Sequence, residues 1–368
     1  NITLELTKLL SRHYSNIEGN RKKYIQFSKM SRSYAQLLFA ETLSADFIND
    51  IISFFVNNKS DKSDLKNTTL EYFQIINKNE PPIISTNYLS NKAMLEIYHF
   101  MIGNDYHQTL ACCDKYIQLL EDTTYKNISA LSGIHFQKIA CCIQLKQYEK
   151  GIESINFCLS IQETGSFNWF KTHEIHLSLC FHTQEYQKAW EIYQHTTKHK
   201  LFVKLPPNVR EPWKIYEAWL YFLIAIGRIH VREDDRKKFK LNRFLNEVPI
   251  FSKDKRGLNV PILILQILFQ LQQRKFDALI DQIEAISKYH QRYVSKEDNY
   301  RSNCFIKMLI EIPKAYFKRN RVIRQTHKWY QKLQSVSIDI SNQNHDLEIL
   351  PYDDVWEFVL ELLDERGY

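Results

Sequence analysis

A chain of 368 residues, 44% of them hydrophobic, is too apolar for general disorder and long enough to bury a sizeable core. Glycine (8) and proline (9) fall far below their usual shares of about 7% and 5%, which excludes a turn-rich sheet or a glycine-cradled nucleotide site and favours long helices with short links. The formal charge of +7, from 49 basic and 42 acidic residues, is too mild to imply nucleic acid by itself.

The start, Asn1-Ile2-Thr3, has neither a basic n-region nor an apolar h-region and lacks an initiator methionine, as a trimmed chain or a fragment would. Leu4, Leu6, Leu9, Leu10 and Tyr14 predict a first helix. A second is predicted over 21–40, where Tyr24, Phe27, Met30, Tyr34, Leu37 and Leu38 keep helical spacing. Ser44-Ala45-Asp46 offers an N-cap for a third, through Ile51, Ile52 and Phe55. The polar run 57–67 reads as a loop, a helix follows near 70–76, and Pro81-Pro82 closes an N-terminal helical segment, 1–82.

From residue 83 to 345 a repeat takes over. Its anchors are Tyr106, Tyr148, Tyr186 and Phe276. Nine residues before each stands Ile97, Ile139, Leu177 or Ile267, and five before stands Met101, Ile143, Phe181 or Leu271. Four after stands Leu110, Ile152, Trp190 or Ile280, and seven after stands Cys113, Ile155, Tyr193 or Ile283. The short link before each anchor is polar. A unit of this kind predicts stacked helical hairpins. The gap between Tyr186 and Phe276 leaves room for one diverged hairpin, 213–229 with 236–248, set between a Leu205-Pro206-Pro207 linker and a second linker at 252–259. A sixth hairpin joins 299–317 to 322–338. The segment 346–368 ends the chain in an acidic amphipathic helix, 353–364, whose stripe of Val355, Trp356, Val359, Leu360 and Leu363 predicts a capping helix.

The hairpins 136–161, with Ala140, Tyr148, Gly151 and Ile155, and 174–197, with Ser178, Phe181, Tyr186, Ala189 and Tyr193, resemble tetratricopeptide repeats. Ala140, Ser178, Gly151 and Ala189 fill the positions where that family places small residues. The outer units depart: Tyr98 and Leu268 replace the first small residue, and Leu279 the second. The links are one residue short, the closing proline is missing, and the period is nearer 40 than 34. The resemblance covers about 87–290 and implies an all-α, right-handed superhelical solenoid that binds protein or peptide on its concave face.

In the resembled family the first helix of each hairpin lines that face, so residues 4, 7 and 11 before each anchor point inward. They are Leu95, His99 and Ile102; Gln137, Cys141 and Gln144; Ile175, Leu179 and His182; Leu265, Phe269 and Gln272. His99, Gln137, Gln144, His182 and Gln272 are the candidates to hydrogen-bond a peptide backbone, weighed against ordinary packing.

His173, His176 and Cys180 share a helix face and are all possible zinc ligands, but one straight helix cannot surround a tetrahedral ion, and packing is the preferred reading. The adjacent pairs Cys112-Cys113 and Cys141-Cys142 suit neither a disulfide framework nor a zinc ribbon. Lys314, Lys318, Arg319, Arg321, Arg324, Lys328 and Lys332 form a basic stripe interleaved with Tyr316, Phe317, Trp329 and Tyr330, and no acid occurs between Glu311 and Asp339. The stripe suits an acidic peptide or a nucleic-acid backbone, or it is covered by the chain's own acids from Asp346 to Glu365, or it is simply solvated. The cluster Arg236-Lys237-Lys238 through Arg243 reads as a solvated helix face.

Phosphate-loop, dinucleotide, nucleophile-elbow and zinc-protease motifs are missing, so an enzyme is not expected, nor a cofactor or a metal. No apolar run approaches the roughly 20 residues of a membrane span. The expected protein is a cytoplasmic, non-catalytic scaffold for a protein or peptide, with nucleic acid disfavoured. Two alternatives stand beside it: a peptide-responsive regulator with an N-terminal effector segment, and a nucleic-acid-binding repeat using the basic stripe.

Overall fold

A computed structural model describes residues 2–57, 62–232, 259–289, 300–336 and 348–363. Among them 81% are helical and none lies in a strand, so the chain is all-α. The second helix of the diverged hairpin, residues 252–258 of its flanking linker and the 236–243 cluster lie outside the described residues, and Asn259, expected in that linker, is helical. Packing divides the chain into two compact units, Asn1–Cys141 and Cys142–Tyr368.

Unit 1 begins with α1 (Ile2–Asn16) and α2 (Arg21–Asn57), which pack along each other. The break predicted at Ser44 does not occur, and α2 runs through it. Ser44 is fully buried, donates its hydroxyl to the Glu41 carbonyl and accepts from Asn91 Nδ2. A serine satisfied in this way stays in mid-helix instead of capping a new one. Helix α3 (Lys62–Lys78) starts inside the stretch predicted as a loop. It packs on α4 (Thr86–Ile102), with Pro81-Pro82 between them. The prolines therefore mark a turn inside a packed unit, whose core joins Ala40 and Ile51 of α2, Leu65 and Ile76 of α3, and Tyr88, Leu95 and Ile102 of α4. Helix α5 (Tyr106–Glu121) completes a hairpin with α4, and α6 (Ile128–Gln144) follows.

Unit 2 continues with α7 (Tyr148–Ile161), α8 (Phe167–His182), α9 (Tyr186–Thr197), a short 3-10 turn at Phe202–Lys204, and α10 (Pro207–Ala225). Then come α11 (Asn259–Gln272), α12 (Phe276–Tyr289), α13 (Tyr300–Lys314), α14 (Arg319–Gln334) and α15 (Tyr352–Leu362). The predicted linker at Pro206-Pro207 is shorter than expected, because α10 starts on Pro207, where the missing N–H costs nothing.

Each of the four anchors is the first residue of the second helix in its hairpin. The position nine before is completely buried in all four units, and the position five before is buried in all four. Ile280 is the exception to the apolar pattern and stands at the surface.

One local device ends the first helix of every hairpin. Asn104, Lys146, Gln184 and Arg274, each two residues before an anchor, adopt left-handed backbone. The next amide then bonds five residues back: Asp105 to Phe100, Gln147 to Cys142, Glu185 to Cys180 and Lys275 to Gln270, at 2.8–3.0 Å. This is a Schellman cap, which satisfies the orphan carbonyls of a helix end. Gly227 after α10 and Tyr316 after α13 carry the same bond, from Arg228 to Leu223 and from Phe317 to Ile312. Six first helices therefore end alike, including the diverged one, where Ile229 is fully buried two residues past the cap as an anchor would be.

Gly151 explains its own size. A Cβ there would lie 2.6 Å and 3.0 Å from the buried Leu179 methyls and 3.3 Å from Cys142 Cβ. A Cβ on Gly133, in α6, would meet nothing within 4 Å. Gly151→Leu is expected to cost about 2 kcal/mol through overpacking, net of its helix-propensity gain. Gly133→Ala should gain about 0.5–1 kcal/mol. Urea denaturation of the two variants checks both signs; a stabilised Gly151→Leu would remove the packing argument.

Candidate functional site

An open groove of about 640 Å³ lies in unit 1 between α2, α4 and the start of α6. Most of its lining is apolar, from Leu38, Ala45, Ile48, Ile52, Met94 and Ala130, with Gly133 of α6 and Tyr98 of α4. Amides and hydroxyls stand among them, including Thr42, Asn87, Ser90, Asn91, Asn127 and Ser129, with Glu41 as the one acid. Two of these groups are held in place: Asn91 Nδ2 donates to Ser44 Oγ at 3.0 Å, and Glu41 Oε1 accepts from Ser85 at 2.5 Å. A mostly apolar lining with interspersed amides and hydroxyls is the kind that can take side chains and offer hydrogen bonds to a peptide backbone.

The lining residues of α4 stand 8, 12, 15, 16 and 19 before the anchor Tyr106, so the open face is turned from the one expected. His99 is half-buried instead and its Nδ1 is paired with Thr69 Oγ1 of α3 at 3.0 Å. Gln137 is half-buried in α6, and Gln144 has its Nε2 buried without a hydrogen-bond partner. None of these three lines the groove. Tyr98, Met94, Asn91 and Gly133 do, and the one readable signal for them was a glycine placed inside a helix in a glycine-poor chain.

In unit 2 the expected inward face is taken by the chain's own C-terminal segment. His182 Nε2 bonds the Glu348 carbonyl at 3.2 Å and is buried. Phe222 of α10 packs on Phe358, and Phe305 of α13 stacks on Tyr352 at 4.5 Å and meets Trp356 edge-on. Helix α15 also packs on α11, where Leu265 and Phe269 are buried and Gln272 is half-buried. The predicted terminal cap thus lies along the first helices of several hairpins, because its apolar residues Val355, Trp356, Phe358 and Val359 find their burial there. Polar contacts fix it: Arg301 to Glu348 and Asp353, Gln184 and Lys146 to Asp354, Arg228 to Glu361.

The basic stripe runs from Lys314, the last residue of α13, through the turn and along α14. Lys314 pairs with Glu311 at 2.7 Å, and Arg319 Nε donates to the Leu360 carbonyl at 3.1 Å. Arg321 lies over the Tyr316 ring at 5.9 Å. Lys307, Lys328 and Lys332 stand 4.3, 5.6 and 5.1 Å from the Trp329 ring centre. Among the described residues no carboxylate pairs with Lys318, Arg321, Arg324, Lys328 or Lys332. The described tail acids with ion pairs serve Arg301, Lys146 and Arg228 instead.

His173 and His176 are packed, not displayed. His173 meets the Trp169 ring at 4.2 Å, and burial pulls both imidazoles down to about 4. Among the described residues no three His, Cys, Asp or Glu side chains are grouped to hold a metal ion. All seven cysteines are buried, and burial pushes the Cys112 and Cys180 thiols up to about 12. No described helix is long and apolar enough to cross a membrane.

Compared with known proteins, the chain matches no family, no curated relative and no solved structure.

Proposed function

We propose that this chain is a non-catalytic protein-interaction scaffold made of tetratricopeptide-like hairpins, and that a peptide segment of its partner lies in the unit 1 groove. One observation carries the reading: the groove of α2, α4 and α6 is open and mostly apolar, whereas the first-helix face of unit 2 is occupied by α15. Repeated hairpins ended by one kind of cap support the tetratricopeptide-like reading. The interspersed amides and hydroxyls support a peptide ligand, since backbone groups need partners when they leave water.

Gly133→Trp tests this. The position has space for a side chain and faces the groove, so the indole fills the site while the fold persists. Peptides selected from a random library on the purified chain are expected to lose binding by about tenfold or more in this variant, a change of about 1.4 kcal/mol or more. Selected peptides that bind both proteins equally would place the ligand elsewhere, and a library that yields no binder would count against a peptide-binding scaffold.

A further inference from the structure

We propose that the exposed face of α14 is a second docking surface, and that it takes an acidic segment of a partner protein. Lys318, Arg321, Arg324, Lys328 and Lys332 extend along about 21 Å of helix and its N-terminal turn. Arg321, Arg324 and Lys328 are exposed. The buried face of the same helix is made by Val322, Thr326 and Leu333, so these cations face away from the core.

A charged helix face is often only a solvated one, and three observations separate this one from that case. The positive groups are crowded at a cost. Lys328 and Lys332 are one turn apart, where like charges repel, and Lys307 of α13 adds a third ammonium to the same indole. The sequence offers no acid between Glu311 and Asp339 to relieve them. In the described C-terminal segment Glu348 and Asp353 are held by Arg301, Asp354 by Lys146 and Glu361 by Arg228, and α15 meets α14 through the Leu360 carbonyl.

The same geometry favours an acidic protein segment over nucleic acid. Single strands bind where aromatic faces are open for stacking. Trp329 carries lysines around its ring and Tyr330 is half-buried, which leaves Tyr316, exposed and with Arg321 5.9 Å from its ring centre, as a single open ring instead of a row of them. A duplex needs a broad positive field, but Glu311 pairs with Lys314 at one end of the stripe, and Asp353, Glu357 and Asp354 of the C-terminal segment act on Tyr330 of α14. A narrow cationic row with acidic borders fits one carboxylate-bearing chain, read by Arg and Lys as charge-assisted hydrogen bonds.

The test compares the full chain with the variant Arg321→Glu/Arg324→Glu/Lys328→Glu. A control variant, Arg21→Glu/Lys22→Glu/Lys29→Glu, makes the same change in net charge at exposed positions of α2. The probes are a fluorescein-labelled peptide of alternating glutamate and alanine and a labelled single-stranded thymidine oligonucleotide, each titrated at two salt concentrations. Circular dichroism verifies that both variants fold. The expected result is peptide binding by the wild-type chain, unchanged in the control and weakened about tenfold or more in the α14 variant. Tighter binding of the oligonucleotide than of the peptide, with a steep salt dependence, would make the surface a nucleic-acid site and overturn the proposal. Equal loss in both variants would overturn it as well, since net charge alone would then explain the binding, and so would no binding of either probe.

Discussion

Arg301→Met should cost about 3–5 kcal/mol and loosen the C-terminal helix from its seat. The side chain stands at the start of α13 and uses all five of its donors. Nε and Nη2 grip the two Glu348 carboxylate oxygens at 2.9 Å, Nη2 also reaches Asp353 at 2.8 Å, and Nη1 serves the Leu333 and Val336 carbonyls. Glu348 is 6% exposed and in turn accepts the Tyr352 amide at the start of α15. Burial pushes its carboxyl up, against the pull of the guanidinium that keeps it charged. Methionine fills much of the volume but strands a buried carboxylate and two carbonyls. Arg301→Lys should recover only part of the loss, because an ammonium cannot reproduce the fork. Adding Glu348→Gln to Arg301→Met should restore a measurable share, since the stranded charge is then gone. Urea denaturation gives the energies, and limited proteolysis reports release of the 348–363 segment. A loss under about 1 kcal/mol for Arg301→Met would mean the network is solvated and does not seat the helix.

That network was only half legible in the sequence. Val355, Trp356 and Val359 announced an amphipathic helix, and periodicity alone says that such a stripe will be buried. It does not say against what. One of the readings left open gave the acids to the nearest basic run, 314–332, whereas Glu348, Asp353, Asp354 and Glu361 go to Arg301, Lys146 and Arg228, which no local pattern distinguishes.

The hairpins were legible because their apolar offsets are set by helix geometry. Ile97, Ile139, Leu177 and Ile267 are all fully buried, as one face of a 3.6-residue period requires. The caps between helices were not legible, because Lys146, Gln184 and Arg274 hold left-handed backbone without the glycine that usually signals it. Gly227 carries that signal, in the one hairpin where the aromatic anchor is replaced by Ile229. The open groove uses a face of α4 about one residue away from the expected one, for a different reason. Which face of α4 stays open depends on where α2 and α3 pack, and Thr69 of α3 already holds His99. Nothing in the local sequence of α4 records that neighbour.

Unit 2 should unfold in acid, between about pH 6 and 4, through imidazoles that no catalytic role explains. Burial pulls His173, His176 and His182 down to about 4, helped by the neighbouring cations Lys188 for His176 and Lys146 and Arg301 for His182. His182 Nε2 is spent on the Glu348 carbonyl and its Nδ1 is buried without a partner, so a second proton there would be an uncompensated charge. Both ring nitrogens of His173 and His176 are likewise buried without hydrogen bonds. An unfolded imidazole takes its proton near pH 6.5, so between pH 6.5 and 4 the unfolded chain binds more protons than the folded one. Stability therefore rises with pH across this window and is lost as pH falls, by about 3 kcal/mol for each group at pH 4. Glu348 and Asp354 oppose the loss, because burial raises their carboxyls and the folded state takes up their protons first. A loss of this size at even one of the three imidazoles is a large fraction of the stability of a domain. Circular dichroism followed from pH 7 to pH 4 should show the transition. His173→Phe/His176→Leu/His182→Gln should move its midpoint down, since glutamine keeps a donor for the Glu348 carbonyl and none of the three titrates. An acid midpoint unchanged in that variant would remove the three imidazoles as its cause.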